Sequence, residues 1–247
     1  MATENKTLAV IELFTENRPV WTADEVACEI GISISTSYRY IKELCASGFL
    51  DSVRPGSFAL GPAFIQYDYR MRRNDTLIQH AAPHMRQLIE DTDPRSDIVL
   101  SRLFNNCVLC IHQENGPEAH EPTRYVRGVA MPLFVGATSR VILAHLPDRT
   151  LKRLYLDNEA EIRARSQEQT WKAFKQDLRT IRKDGYCLTV SEVSKGQAGL
   201  AAPIFRGESV VGSVSFVAGE ASFENLRAHM DLVARVKSCA AKIEASI

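Results

Sequence analysis

Between Thr22 and Ala46 the chain carries two helix-length segments only a few residues apart, and this spacing restricts the fold more than any other feature. Thr22-Ala-Asp-Glu25 is a capping box, in which the Thr hydroxyl accepts from an amide of the first helical turn and the Glu carboxylate accepts from the Thr amide. Val26 and Ile30 lie one turn apart and give this helix a buried face, and Gly31 supplies the turn that ends it. The next helix starts at Ser33 or Ser35, runs to Ala46 and stops at Gly48. Two short helices joined this closely cross steeply, which leaves the second free to lie in a groove. Upstream, Leu8, Ile11 and Phe14 form the stripe of a first helix that ends near Asn17, before Arg18 and Pro19. Downstream, Phe49 to Val53, the turn Arg54-Pro55-Gly56-Ser57 and Phe58 to Leu60 read as a two-stranded hairpin.

The phase of the 33–46 helix follows from its period. With Ile41 at the centre of the buried face and about 100° per residue, Ile34, Ser37, Tyr38, Leu44 and Cys45 point inward. Thr36, Arg39 and Glu43 point outward, with Ser35, Tyr40 and Lys42 on the flanks. Two hydroxyls, a guanidinium and a phenol near the helix start can hydrogen-bond base edges and phosphate oxygens, and Arg39 is the best placed for a base. Arg54 and Ser57 at the hairpin tip can reach a neighbouring minor groove or phosphate. The alternative is a small helical core with a merely polar outer face; the hairpin favours a winged helix-turn-helix. The candidate DNA contacts are therefore Ser35, Thr36, Arg39, Tyr40, Lys42, Arg54 and Ser57.

Residues 61 to about 92 read as helix, broken or bent at Pro83. From residue 97 the pattern turns to strands, at Ile98 to Phe104, Val108 to Gln113, Thr123 to Val129, Tyr186 to Val190, Leu200 to Phe205 and Ser209 to Val217. Helices are expected at about 138–156, 168–184 and 223–245, so that a mixed sheet is flanked by helices. A chain of 247 residues, 45% hydrophobic and 24% charged, has material for a real core in one large or two smaller domains. It lacks an apolar run of about 18 residues, and its amino terminus has no basic-then-apolar signal, which predicts a cytoplasmic protein with no membrane contact. Six cysteines spread over this length are read as reduced thiols.

Five segments in order, Leu8-Ala-Val-Ile-Glu-Leu-Phe14, Ser35-Thr-Ser-Tyr-Arg39, Phe58-Ala-Leu-Gly61, Ala82-Pro-His-Met-Arg-Gln-Leu88 and Ala201-Ala-Pro-Ile204, carry a resemblance over almost the whole chain. The sequence resembles the isocitrate lyase regulator (IclR) family of bacterial transcription factors. The resemblance implies an α+β protein: a winged helix-turn-helix domain over 1–61, linker helices over 62–92, and a GAF-like mixed α/β effector-binding domain over 93–247. It also implies operator DNA as partner, a small effector, homodimers through the amino-terminal domain and linker, and tetramers through the carboxy-terminal domains.

Gly136-Ala137-Thr138-Ser139 lies between a strand-like segment and a helix, so its backbone amides either receive a carboxylate or simply cap the helix. The resemblance places Ala137, Thr138, Thr189, Gln197 and Gly199 at effector-contacting positions, and Ser213 and Ser215 add two hydroxyls on one strand face. Thr189 stands where relatives can carry an acid, Gly199 where a Cys can occur, and Phe134 where His is common. With Phe134 and Met131 as apolar walls, such a pocket suits a small organic acid, aromatic or otherwise; Arg127 is either its partner or a solvated charge.

Whole-chain charge is zero, which on its face speaks against nucleic acid. Residues 1–80 hold eight cations against ten acids, a balance of −2, and the remainder is +2. Distribution matters more than the sum: Arg39, Lys42 and Arg54 fall on the outward helix face and hairpin. Other signals are weaker. Cys107 and Cys110 have metal-ligand spacing but sit in a strand with no second pair, His80 and His84 lack the Glu of a zinc motif, and no cofactor or metal is expected. Cys187 and Cys239 have no base signature, so a cysteine-dependent enzyme ranks behind a regulator, as does a ligand-sensing interaction module without DNA binding.

Overall fold

The computed structural model describes residues 6–119, 125–165, 170–223 and 226–247. They form two compact units, Met1–Asn74 and Asp75–Ile247. The boundary lies inside the 62–92 segment.

In the first unit, α1 (Lys6–Glu12), α2 (Ala23–Glu29) and α3 (Ile34–Ala46) enclose a core of Val10, Phe14, Trp21, Val26, Ile41, Leu44 and Leu50. Helix α1 is shorter than its apolar stripe suggested. Val10 rather than Leu8 is its buried residue, and Leu8 is exposed. The capping box at Thr22 is formed on both sides, with Glu25 N–H donating to Thr22 Oγ1 and Thr22 N–H donating to Glu25 Oε2. Ser33 caps α3. The hairpin is β2 (Leu50–Arg54) and β3 (Ser57–Leu60), and Pro55-Gly56 make its turn, with Gly56 at φ +77° as a type II turn requires. A bulge at Val53 interrupts the register. The two-residue strand β1 (Trp21–Thr22) pairs with β3 and completes a three-stranded sheet. Helix α4 (Ala63–Asn74) packs on the base of the hairpin, with Tyr67 stacked on Phe49 at 5.5 Å between ring centroids.

Helix α5 (Thr76–Glu90) opens the second unit. The helical break falls at Asp75, whose carboxylate accepts from the Leu77 and Ile78 amides, and not at Pro83. Pro83 lies on the exposed face of α5, away from the packed side, and the helix continues through it to Glu90. Six strands follow: β4 (Asp97–Phe104), β5 (Cys107–Asn115), β6 (Ala130–Pro132), β7 (Cys187–Val190), β8 (Gln197–Arg206) and β9 (Ser209–Gly219). Their order in the sheet is β6-β5-β4-β9-β8-β7, and every pairing is antiparallel. The sheet is thus not mixed; one isolated bridge, Cys110 to Arg127, is parallel. That bridge stands where a strand over Thr123 to Val129 was expected, and Thr123 lies outside the described residues. Pro203 is tolerated in β8 because it lies past the end of β7.

Alternation along β4 and β9 splits the core in two. Ile98, Leu100, Val214 and Phe216 face α5 and α10 (Leu226–Glu244), which contributes Val233, Val236 and Ile243. The other face meets α6 (Gly136–Leu143) and α9 (Trp171–Asp184), with α7 (Asp148–Asp157) and α8 (Glu159–Arg165) outside them. Pro147 divides the expected 138–156 helix into α6 and α7. No described helix is long and apolar enough to cross a membrane.

Candidate DNA-binding surface and effector cavity

On α3, Ser37, Ile41 and Leu44 are buried, and Ser37 Oγ donates to the Ala23 carbonyl at 2.7 Å, which fixes α3 on α2. Ile34 and Tyr38, expected inward, are 53% and 49% exposed. The ideal phase places them near Ile41, but the buried face of α3 centres on Ser37, Ile41 and Leu44 and leaves both outside it. Those two side chains therefore widen the outward surface with an apolar and a phenolic group. Ser35, Arg39 and Lys42 are exposed, and Thr36 and Tyr40 are half-buried. The hydroxyls of Ser35 and Thr36 both lie against Ser33 Oγ, at 3.1 and 2.7 Å. Arg39 sits 5.2 Å from the Tyr40 ring. At the hairpin tip Arg54 is exposed and Ser57 half-buried. Arg39, Lys42 and Arg54 pair with no acid among the described residues, whereas Arg18 of the same unit is tied to Glu25 at 2.6 Å. Unneutralised cations on a protruding helix and hairpin are suited to phosphates and base edges.

In the second unit, Ala137, Thr138, Thr189, Gln197 and Gly199 line one cavity. The turn between β7 and β8 adds Glu192, Val193 and Ser194, and Tyr125 closes it, none of which sequence reasoning selected. Thr189 Oγ1 accepts from the Ala137 amide at 3.1 Å, so that amide of the α6 start is already satisfied. Ser213 and Ser215 do not line the cavity. Both are fully buried behind it, where Ser213 Oγ donates to the Thr138 carbonyl and Thr138 Oγ1 to Ser215 Oγ, each at 2.9 Å. Their face is the one that receives α6, so the hydroxyls lock the helix to β9. Phe134 packs in the α6–α9 core and faces a separate cleft beside Arg149 and Arg153. Met131 packs against Val99, Cys110, Tyr125 and Val217. Arg127 donates from Nε to the Ile111 carbonyl at 2.8 Å.

The charged group on the cavity wall is Glu192, which lies 3.5 Å from Arg140 on α6; Arg140 also pairs with Asp177. Burial disfavours the Arg140 charge, and Asp177 with Glu192 more than restores it, raising its pKa. Burial pushes the Tyr125 phenol up to about 12, so it is a neutral donor at physiological pH. Burial likewise raises Cys110 to about 11 and Cys239 to about 12, and keeps both as unreactive thiols. Among the described residues no group of three His, Cys, Asp or Glu is placed to hold a metal. His80 is exposed and His84 half-buried.

A winged helix-turn-helix followed by an α/β unit with an enclosed cavity is the plan of a bacterial regulator that binds DNA with one part of its chain and carries a separate second domain. Residues 5–54 match the IclR helix-turn-helix domain and residues 71–245 the bacterial transcriptional regulator IclR C-terminal domain. The chain belongs to the IclR family of transcriptional regulators. It is 26% identical to the HTH-type transcriptional regulator KipR of Bacillus subtilis, over 98% of this chain and 95% of KipR. Its fold matches that of an IclR regulator from Alicyclobacillus acidocaldarius with a TM-score of 0.75 at 21% identity, covering 98% and 96% of the two chains. It matches an IclR homologue from Microbacterium hydrocarbonoxydans, solved in complex with 4-hydroxybenzoate, with a TM-score of 0.72 at 20% identity, covering 98% and 97%.

Proposed function

We propose that this regulator binds operator DNA through the outward face of α3 and the hairpin, and that a small organic acid with an aromatic body adjusts that binding from the cavity beneath α6. The observation that carries the reading is the coincidence of three unneutralised cations, Arg39, Lys42 and Arg54, on the protruding surfaces of the first unit. Ser35, Thr36, Tyr40 and Ser57 supply further polar contacts. In the cavity, Ala137, Thr138, Thr189, Gln197 and Gly199 are the contact residues, with neutral donors dominating. The 4-hydroxybenzoate bound to the Microbacterium homologue is an acid of this class.

Two copies pair through the first unit. Leu8 on α1 and Ile65 and Tyr69 on α4 are large, exposed and apolar, with Ile65 74% exposed, and pairing of chains would cover them. Tetramers form through the carboxy-terminal domains. The effector acts by binding one arrangement of the assembly better than the other, since only differential affinity moves such an equilibrium.

Thermal-shift screening against organic acids, followed by operator titration with and without the best binder, tests the reading. Operator affinity is expected to change several-fold with ligand, and Thr189→Leu is expected to abolish that change while leaving ligand-free DNA binding intact. An operator affinity indifferent to every ligand that binds would refute the effector half of the proposal.

A further inference from the structure

The cavity that holds five of the candidate effector residues is almost full. Its open space is about 20 Å³, room for roughly one water. Tyr125 forms one of its walls and is 4% exposed, its ring buried against the cavity's Val193 and Val217. The phenol hydroxyl donates to the Val135 carbonyl at 3.1 Å and lies 3.4 Å from Ser139 Oγ. Val135 is the residue before α6, so the phenol ends against the start of the helix that frames the site. Gly136 makes this approach possible: a Cβ there would fall on the Tyr125 hydroxyl and within 2.6 Å of a Val193 methyl. The ring itself packs on Val99, Cys110 and Val217, with Met131 and Val193 beside it. Tyr125 is therefore seated as a small aromatic ligand would be, with an apolar slot for the ring and a carbonyl and a hydroxyl at its polar end.

We infer that Tyr125 is a built-in occupant of the effector site, and that the ligand is a para-substituted phenol whose ring and hydroxyl take the seat of the Tyr125 side chain. The inference rests on the cavity being the effector site. It adds the chemical class of the ligand and a competitor supplied by the chain. A slot shaped around a hydroxyphenyl group prefers a phenol to the same ring without the hydroxyl, because only the phenol can restore the bond to the Val135 carbonyl. The apparent affinity of an entering phenol is lowered by the fraction of molecules in which Tyr125 holds the seat.

The test uses the full-length protein with 4-methylphenol and, as the control ring, toluene. Tyr125→Ala is expected to melt below the wild type, and 4-methylphenol to restore several degrees where toluene restores little. No restoration, or equal restoration by both compounds, would overturn the inference. Tyr125→Phe keeps the packing and loses the contacts of the hydroxyl, chief among them the bond to Val135, so it is the variant to use if the alanine protein does not fold. It is expected to bind 4-methylphenol about fivefold more tightly than the wild type, the amount one lost hydrogen bond releases. Equal affinity, weaker affinity or binding to neither protein would overturn it. The two readings separate cleanly. An effector whose action on operator affinity is lost in Thr189→Leu but unchanged in Tyr125→Phe would leave the effector site standing and remove Tyr125 from it. Rescue of Tyr125→Ala by 4-methylphenol, with operator affinity deaf to all ligands, would do the reverse.

Discussion

Asp93 shows how a single side chain ties a connection together. It lies between α5 and β4, where it accepts from the Arg95 guanidinium and backbone amide and from Ser222 Oγ, and these bonds outweigh its partial burial and lower its pKa to about 2. A carboxyl depressed in the folded state stabilises the fold above its unfolded pKa, near 3.9, and loses that contribution as pH falls toward 2. The size is on the order of 2 kcal/mol. Asp93→Asn is therefore expected to lower stability at pH 7 and to flatten its decline between about pH 4 and 2, as read by urea unfolding across that range. Parallel pH profiles for variant and wild type would contradict this. Ser213 and Ser215 teach a related lesson about side chains: their shared face follows from strand period alone, but that α6 would sit on it and take both hydroxyls depends on a helix some 75 residues away in sequence.

At the level of elements, α6 is the most constrained. It starts at Gly136 with φ +76°, has no side-chain cap from Val135, and abuts Tyr125 and Val193. Gly136→Ala is expected to cost at least about 1 kcal/mol from the dihedral alone. The added methyl also collides with the phenol, so a drop of several degrees in melting temperature is expected; an unchanged melting curve would show that α6 tolerates an ordinary start. Elements set by local chemistry were legible in the sequence. Helices α2 and α3 follow from a capping box, a serine cap and a 3.6-residue period, and the hairpin turn from Pro55-Gly56. What escaped was set by distant partners. Strand β1 is two residues long and exists because β3 lies beside it. Leu8 and Val10 compete for the buried side of α1, and packing on α3 decides for Val10. Pro83 reads as a breaker in the sequence, yet its place on the exposed face lets the helix continue, and Asp75 makes the break. Five of the eight candidate effector residues meet at one cavity, whereas Glu192 sits in an irregular turn and Tyr125 in a segment whose strand-like pattern says nothing of the cavity it faces.

For the whole molecule, a net charge of zero coexists with membership of a DNA-binding family because charge is partitioned. The first 80 residues carry a balance of −2, with Glu12, Asp24, Glu25 and Glu29 on α1 and α2 and the unpaired cations on α3 and the hairpin. With Arg39 directed at a base, Lys42 and Arg54 leave two phosphate-directed cations per copy, four in the proposed dimer, and predict a slope of about −4 for log affinity against log salt. Titration of a binding site between 50 and 300 mM salt reads this slope. A value twice as steep, or tight binding to random duplex at physiological salt, would mean that cations outside α3 and the hairpin dominate.

The central claim is that α3 and the hairpin read DNA, and Arg39 tests it most directly. A duplex selected from a random pool by the full-length protein, titrated with wild type and Arg39→Ala in the same salt, gives the comparison, with circular dichroism reporting the fold. The expected result is an affinity loss of about 10- to 100-fold on the selected duplex, little change on unselected DNA, and an unaltered spectrum. Equal affinity of the two proteins for the selected duplex, with both folded, would contradict the account.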